Sequence, residues 1–73
     1  MSELIKLIDR LATEDVYLIN EFERIAIRSD HASGKFYAKP RGVEEYEIHH
    51  STVLVTDTLM EGAEISKNKY LSY

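Results

Sequence analysis

The sequence predicts an α+β fold, in which one or two amino-terminal helices pack on a β-hairpin and a carboxyl-terminal helix closes the other side. Two observations favour this class. Apolar residues near the amino terminus recur at spacings of three and four, which is typical of a helix. Two strand-like runs flank a Pro-Arg-Gly turn in the middle of the chain. At 73 residues the chain can build one core, so we expect residues 1–73 to form a single domain.

The first predicted element is a helix over the first twelve residues, with Ser2 as its cap. Lys6, Asp9 and Arg10 fall on its polar side. Charges at this density also argue against a signal peptide or a membrane-spanning segment here. The predicted apolar face consists of Leu4, Ile5, Leu7, Ile8, Leu11 and Ala12.

A second helix is predicted over roughly residues 14–29. The hydroxyl and acidic side chains at residues 13–15 are typical of a helix start. A strand over residues 24–29 stays open, because Ile25 and Ile27 alternate with other residues and β-branched side chains suit a sheet. The helical spacing rests on Leu18, Phe22, Ile25 and Ser29, with Ile19 and Ala26 beside them.

A β-hairpin follows a turn at residues 30–34, in which Gly34 is free to take a positive φ. Its strands are predicted at residues 35–39 and 43–48, separated by the turn residues 40–42. The two runs carry opposite charges, and cross-strand pairs of this kind contribute about 0.2–1 kcal/mol each. We expect Lys35 and Lys39 to pair with Glu44, Glu45 and Glu47.

A helix over residues 51–62 is favoured next, because the apolar spacing is helical, Ser51 can cap the start and Gly62 suits a left-handed helix end. The rival interpretation is a third strand over residues 52–58, which are rich in β-branched side chains. Ser66 then begins a last segment, whose tyrosines either fold back on the core or fray.

Charge is distributed unevenly along the chain, although the net charge of −4 is mild. Residues 24–42 carry five Lys or Arg and one acid, whereas residues 43–64 carry six acids and no Lys or Arg. Because the charges on the two hairpin strands offset each other, we expect the freest charges outside those strands. These are the cations Arg24, Arg28 and Arg41 and the acids Asp57, Glu61 and Glu64.

These observations predict a small non-enzymatic regulator or inhibitor that binds another protein through a charged face. Such faces act by steering and specificity. A second copy of the chain is a further candidate partner, because so small a core benefits from extra burial. The lack of cysteine favours the cytoplasm, and the short, mildly acidic chain is typical of phage or mobile-element proteins. The predicted partner-binding residues are Asp57, Glu61 and Glu64.

The alternative function is nucleic-acid binding by the basic stretch. Cations track phosphates and exposed aromatic rings stack on bases. The acidity of the whole chain makes this alternative the weaker one. Its candidate residues are Arg24, Arg28, Lys35, Tyr37, Lys39 and Arg41.

The sequence shows no catalytic, cofactor or metal motif, so none is predicted. A compact zinc site needs two ligand pairs, and the adjacent His49 and His50 are expected to diverge on a strand or a helix. His31 falls in the predicted turn. The Ser33-Gly34-Lys35 segment lacks the upstream glycine of a phosphate-binding loop.

Overall fold

The computed structural model describes the backbone of residues 3–73 and the side chains of residues 6, 7 and 9–73. Its five strands form one antiparallel sheet in the order β4-β3-β2-β1-β5. The α+β class is confirmed. The elements are α1 (Glu3–Leu11), β1 (Val16–Asn20), β2 (Ile25–Asp30), β3 (Lys35–Pro40), β4 (Tyr46–Ile48), α2 (Val53–Glu61), β5 (Ala63–Glu64) and α3 (Lys67–Ser72).

The second helix predicted over residues 14–29 is wrong, and the strand alternative is confirmed. β1 and β2 form an antiparallel hairpin in its place. Leu18 and Ile27 are buried on one face of this hairpin, and Ile19 and Ala26 are buried on the other. Because both faces of these central strands are covered, their apolar residues run together and mimic helical spacing.

The predicted hairpin of β3 and β4 is confirmed, but its second strand is shorter than predicted, because residues 43–45 belong to the loop between the strands. Its register pairs Phe36 with Ile48 and Ala38 with Tyr46. Ala38 is fully buried and Phe36 packs against the same apolar cluster. Gly34 has the predicted positive φ, at 72°, which lets the turn before β3 close.

Two helices lie on the side of the sheet that carries Leu18 and Ile27, which we call the first face, with α2 against the sheet and α1 against α2. α2 packs on it through Leu54, and its buried Val55 lies on the same side. Of the predicted apolar face of α1, Leu7 and Leu11 are half-buried and Ala12 is exposed beyond the helix end. The remaining members of that face, Leu4, Ile5 and Ile8, lie outside the described side chains, and the predicted cap Ser2 lies outside the described residues.

α2 confirms the helical interpretation of this segment, but its two ends differ from the prediction. Thr52 caps the helix, accepting from the Val55 backbone N–H at 3.4 Å. Gly62 is extended, with φ −72° and ψ 159°, so the predicted left-handed end is wrong. A Cβ at Gly62 would lie 2.5 Å from the Thr58 carbonyl oxygen and 2.9 Å from that of Ile19. Glycine is therefore needed for this close approach, which leads the chain directly from α2 into β5.

α3 covers the opposite, second face of the sheet. Ser66 caps this helix, accepting from the Lys69 backbone N–H. Tyr70 is fully buried and its ring lies 5.3 Å from that of Tyr17 on β1. The last segment thus folds back on the core, which was one of its two predicted outcomes.

Candidate partner-binding site

Two of the three predicted partner-binding acids lie together on the outer face of α2. Asp57 and Glu61 are one helical turn apart and exposed, whereas Val55 and Thr58 point into the core. Within the described part of the chain, neither acid forms an ion pair. We call Asp57 and Glu61 the acidic ridge, because both carboxylates are exposed on the same face of α2.

Glu64 does not belong to this ridge. It lies on β5 and accepts two hydrogen bonds from the Arg10 guanidinium, one of them at 2.7 Å. Arg10 also donates to Glu14 at 2.7 Å. The Arg10 hydrogen bonds hold the pKa of Glu64 below its usual range. The expectation that Glu64 is a free acid is therefore wrong, because its partner is 54 residues away in sequence.

Arg28 was expected to be free, yet it is the most engaged of the predicted cations. Its Nε and Nη2 donate to the two carboxylate oxygens of Glu45, at 3.1 and 2.7 Å. The buried Tyr70 hydroxyl donates to the same carboxylate at 2.8 Å. The bonds from Arg28, followed by that from Tyr70, lower the pKa of Glu45, whereas burial raises the pKa of Tyr70. This network fastens α3 to the sheet.

The remaining predicted nucleic-acid residues are partly engaged with other side chains. The ring of Tyr37 lies under the Arg28 guanidinium at 4.2 Å, where it is half-buried. Lys35 pairs with Glu47 at 3.7 Å, as expected for the hairpin, but Lys39 lies over the Tyr73 ring at 5.9 Å. Two exposed cations of this set, Arg24 and Arg41, form no ion pair with the described residues, and they lie in the loops after β1 and β3.

An open groove of about 500 Å³ runs beside α3 on the second face. Its lining includes Arg28 and Glu45, which are paired with each other, and the apolar side chains of Tyr17 and Leu71. Charges of both signs line it, so it does not select a ligand of one sign.

At the turn between β2 and β3, three described side chains lie close enough together to hold a metal ion. Asp15, Asp30 and His31 bring ligand atoms within 4.8 Å of one another. Asp15 already accepts from the His31 backbone N–H at 3.0 Å and lies 2.7 Å from its Nδ1, and these contacts lower the pKa of Asp15. Asp30 accepts from the Ala32 backbone and the Ser33 hydroxyl. These bonds fix the turn and account for the cluster without an ion.

His49 and His50 do not diverge as expected. Their rings stack, with centroids 4.3 Å apart. Both residues lie between β4 and α2, so the side-chain directions of a strand or a helix do not apply to them. His49 Nδ1 also lies 2.6 Å from the Ser51 hydroxyl.

Sequence reasoning placed Phe22 in a helix that packs on the core, whereas its side chain is 93% exposed. It lies in the loop between β1 and β2, which reaches toward the end of α2. The pattern Glu-Phe-Glu-Arg offered one signal of this loop, since three charged residues surround one apolar residue. Among the described helices, none is long and apolar enough to cross a bilayer.

The described chain is thus a small α+β fold that exposes two acids on one helix face. The model of the Tis1 immunity protein family matches residues 4–72, and the chain belongs to that family. Among solved structures, the chain is similar to one in the crystal structure of the complex between the Type VI effector Tas1 and its immunity protein. The TM-score is 0.80 at 30% identity, over 85% of this chain and 84% of that one. No curated protein sequence matches significantly.

Proposed function

We propose that this chain is a non-enzymatic inhibitor that binds and neutralises a Type VI effector related to Tas1. The observation that carries the proposal is the similarity to a chain of the Tas1 complex over more than four fifths of both chains. The match to the immunity protein family over residues 4–72 supports it independently of the structural comparison. A partner of this kind agrees with the protein-binding role that the charge pattern predicts.

The acidic ridge is the proposed contact with the effector. Asp57 and Glu61 are exposed and unpaired within the described residues, so a partner need not break an internal ion pair to reach them. Glu64 is not part of the proposed contact, because Arg10 already holds it. Exposed charges of one sign steer encounter with a surface of the other sign, so the effector surface facing this ridge is basic.

In this proposal the chain inhibits the effector by covering part of its surface, and no catalytic step is needed. Stable complexes bury about 800 Å² on each partner. The described surface of this chain is 4961 Å², so an interface of that size would take about one sixth of it. An interface that large needs more than two carboxylates, and it therefore extends beyond the ridge.

Charge reversal tests this proposal, with a purified Tas1-related effector as the binding partner. Asp57→Lys and Glu61→Lys should each slow association by about fivefold to tenfold at low salt, with a smaller change in dissociation. The matched control is Glu44→Lys, which reverses an exposed acid beside the groove on the second face. No binding of the unaltered chain would overturn the proposed function, and equal rates for all three variants would overturn the role of the ridge.

Self-association, a phage or mobile-element origin and a cytoplasmic location stay predictions from composition. Self-association can be measured with the same samples, because sedimentation of the free chain shows whether a dimer forms. A dimer that dissociates when effector is added would place both partners on one surface.

A further inference from the structure

The loop between β1 and β2 exposes an apolar side chain, and hydrogen bonds hold the backbone of this loop in place. Residues 21–24, which we call the tip loop, close by a hydrogen bond from the Arg24 backbone N–H to the Glu21 carbonyl, with Arg24 at φ 54°. Asn20 accepts from the Glu23 backbone N–H at 3.2 Å. The same Asn20 side chain donates to the hydroxyl of Thr58, a fully buried residue of α2. The tip loop is thus tied to the helix that carries the acidic ridge.

Phe22 stands at this tip with 93% of its surface exposed, more than any other large apolar residue described. Leaving a phenylalanine in water forgoes the stabilisation that burial gives an apolar side chain, and Phe22 belongs to no buried cluster of the described residues. A rigid loop loses little conformational entropy when its side chain is captured by a partner. Aromatic anchors of this kind carry a large share of the binding energy in protein interfaces.

Acidic side chains lie beside the ring, both in the loop and across a shallow hollow. Glu21 and Glu23 flank it in sequence, and Glu61 of the acidic ridge lines the same shallow hollow of about 190 Å³ as Phe22. None of these acids forms an ion pair within the described residues, and Arg24 is the one cation of the tip loop. An apolar centre with a charged rim is the common anatomy of a protein interface.

We infer that Phe22 is the anchor of the effector interface and inserts into an apolar socket whose rim carries Lys or Arg side chains. This inference rests on the proposed function and adds the residue that holds the complex together once charge has brought the partners close. The partner is a folded protein, because the acidic rim repels nucleic acid and anionic membranes. The surface joins the tip loop to the acidic ridge across the hollow that both line.

The Phe22 ring and the acids around it should affect different rate constants, which can be measured with a Tas1-related effector. Phe22→Ala should raise the dissociation rate about tenfold or more, with little change in association, whereas Glu61→Lys should act mainly on association. Phe22→Tyr should restore most of the lost lifetime, because it keeps the ring. The matched control Tyr46→Ala removes a half-exposed ring from the edge strand β4 and should leave both rates unchanged.

The outcomes separate the two proposals. If the unaltered chain does not bind, the proposed function fails and the anchor falls with it. If the unaltered chain binds and Phe22→Ala dissociates at the same rate, the anchor alone is refuted. A change in self-association without a change in effector binding would also refute it and would assign Phe22 to a dimer contact. Phe22→Ala should melt at the parental temperature, which excludes unfolding as the cause.

Discussion

Replacing Tyr70 by phenylalanine tests the network that fastens α3 to the sheet. The change deletes one buried hydroxyl, which donates to Glu45 at 2.8 Å, and keeps the ring that packs against Tyr17. A hydrogen bond to a charged group contributes about 1.5–3 kcal/mol. Glu45 keeps both bonds from Arg28, and its side chain is 32% exposed, so the loss should lie near the lower end, at about 1–2 kcal/mol.

That loss is measurable by urea and thermal unfolding followed by circular dichroism. For a domain of this size each kcal/mol lowers the melting temperature by about 4–8 °C, so Tyr70→Phe should melt roughly 5–15 °C below the parent. Tyr46→Phe is the matched control, because Tyr46 is half-exposed on the edge strand. If both variants melt together, the hydroxyl contributes nothing and the network does not hold α3.

The same substitution has a signature at alkaline pH. Burial raises the pKa of Tyr70 in the fold, whereas the unfolded side chain titrates near pH 10. The stabilisation from the protonated Tyr70 hydroxyl is therefore fully present below about pH 10, and it is lost as the pH rises toward the pKa of Tyr70 in the fold. Tyr70→Phe should lose less stability than the parent between about pH 10 and 12, although Tyr17, whose pKa burial also raises, keeps part of the slope. Equal slopes would contradict this account.

Two further predictions concern packing. Gly62→Ala should destabilise the fold by about 1–3 kcal/mol in urea unfolding, because the added Cβ would lie within 3 Å of two backbone oxygens. An unchanged free energy of unfolding would mean that α2 and β5 separate easily. Ile27→Val, at the centre of the sheet, should lower the free energy of unfolding by about 0.5–1.5 kcal/mol. Val53→Ala, on the outer face of α2, should lower it by less than about 0.5 kcal/mol. The reverse order would place the core elsewhere.

The parts of the fold that sequence predicted correctly depend on local chemistry. The Pro-Arg-Gly turn and opposite charges marked the hairpin of β3 and β4, and the positive φ of Gly34 followed from its turn. α2 was recognised from helical spacing even though its central run is β-branched. In each case the deciding residues are neighbours in sequence.

The errors arise where distant residues decide. The spacing over residues 14–29 predicts a helix where β1 and β2 form a hairpin, because a sheet covered on both faces hides the strand period of two. Glu64 and Arg28 were expected to be free, yet Arg10 and Glu45 reach them across 54 and 17 residues. Phe22 was assigned to the core on its spacing alone. Of the predicted acidic site, Asp57 and Glu61 share one exposed face because they lie on one helix.

Titration calorimetry with a purified Tas1-related effector measures whether this chain binds the class of protein that we propose it neutralises. We expect saturable binding at a 1:1 ratio, with a dissociation constant below about 1 μM and a negative heat-capacity change from buried apolar surface. Absence of heat and of complex at concentrations near 100 μM, well above that constant, would contradict the account.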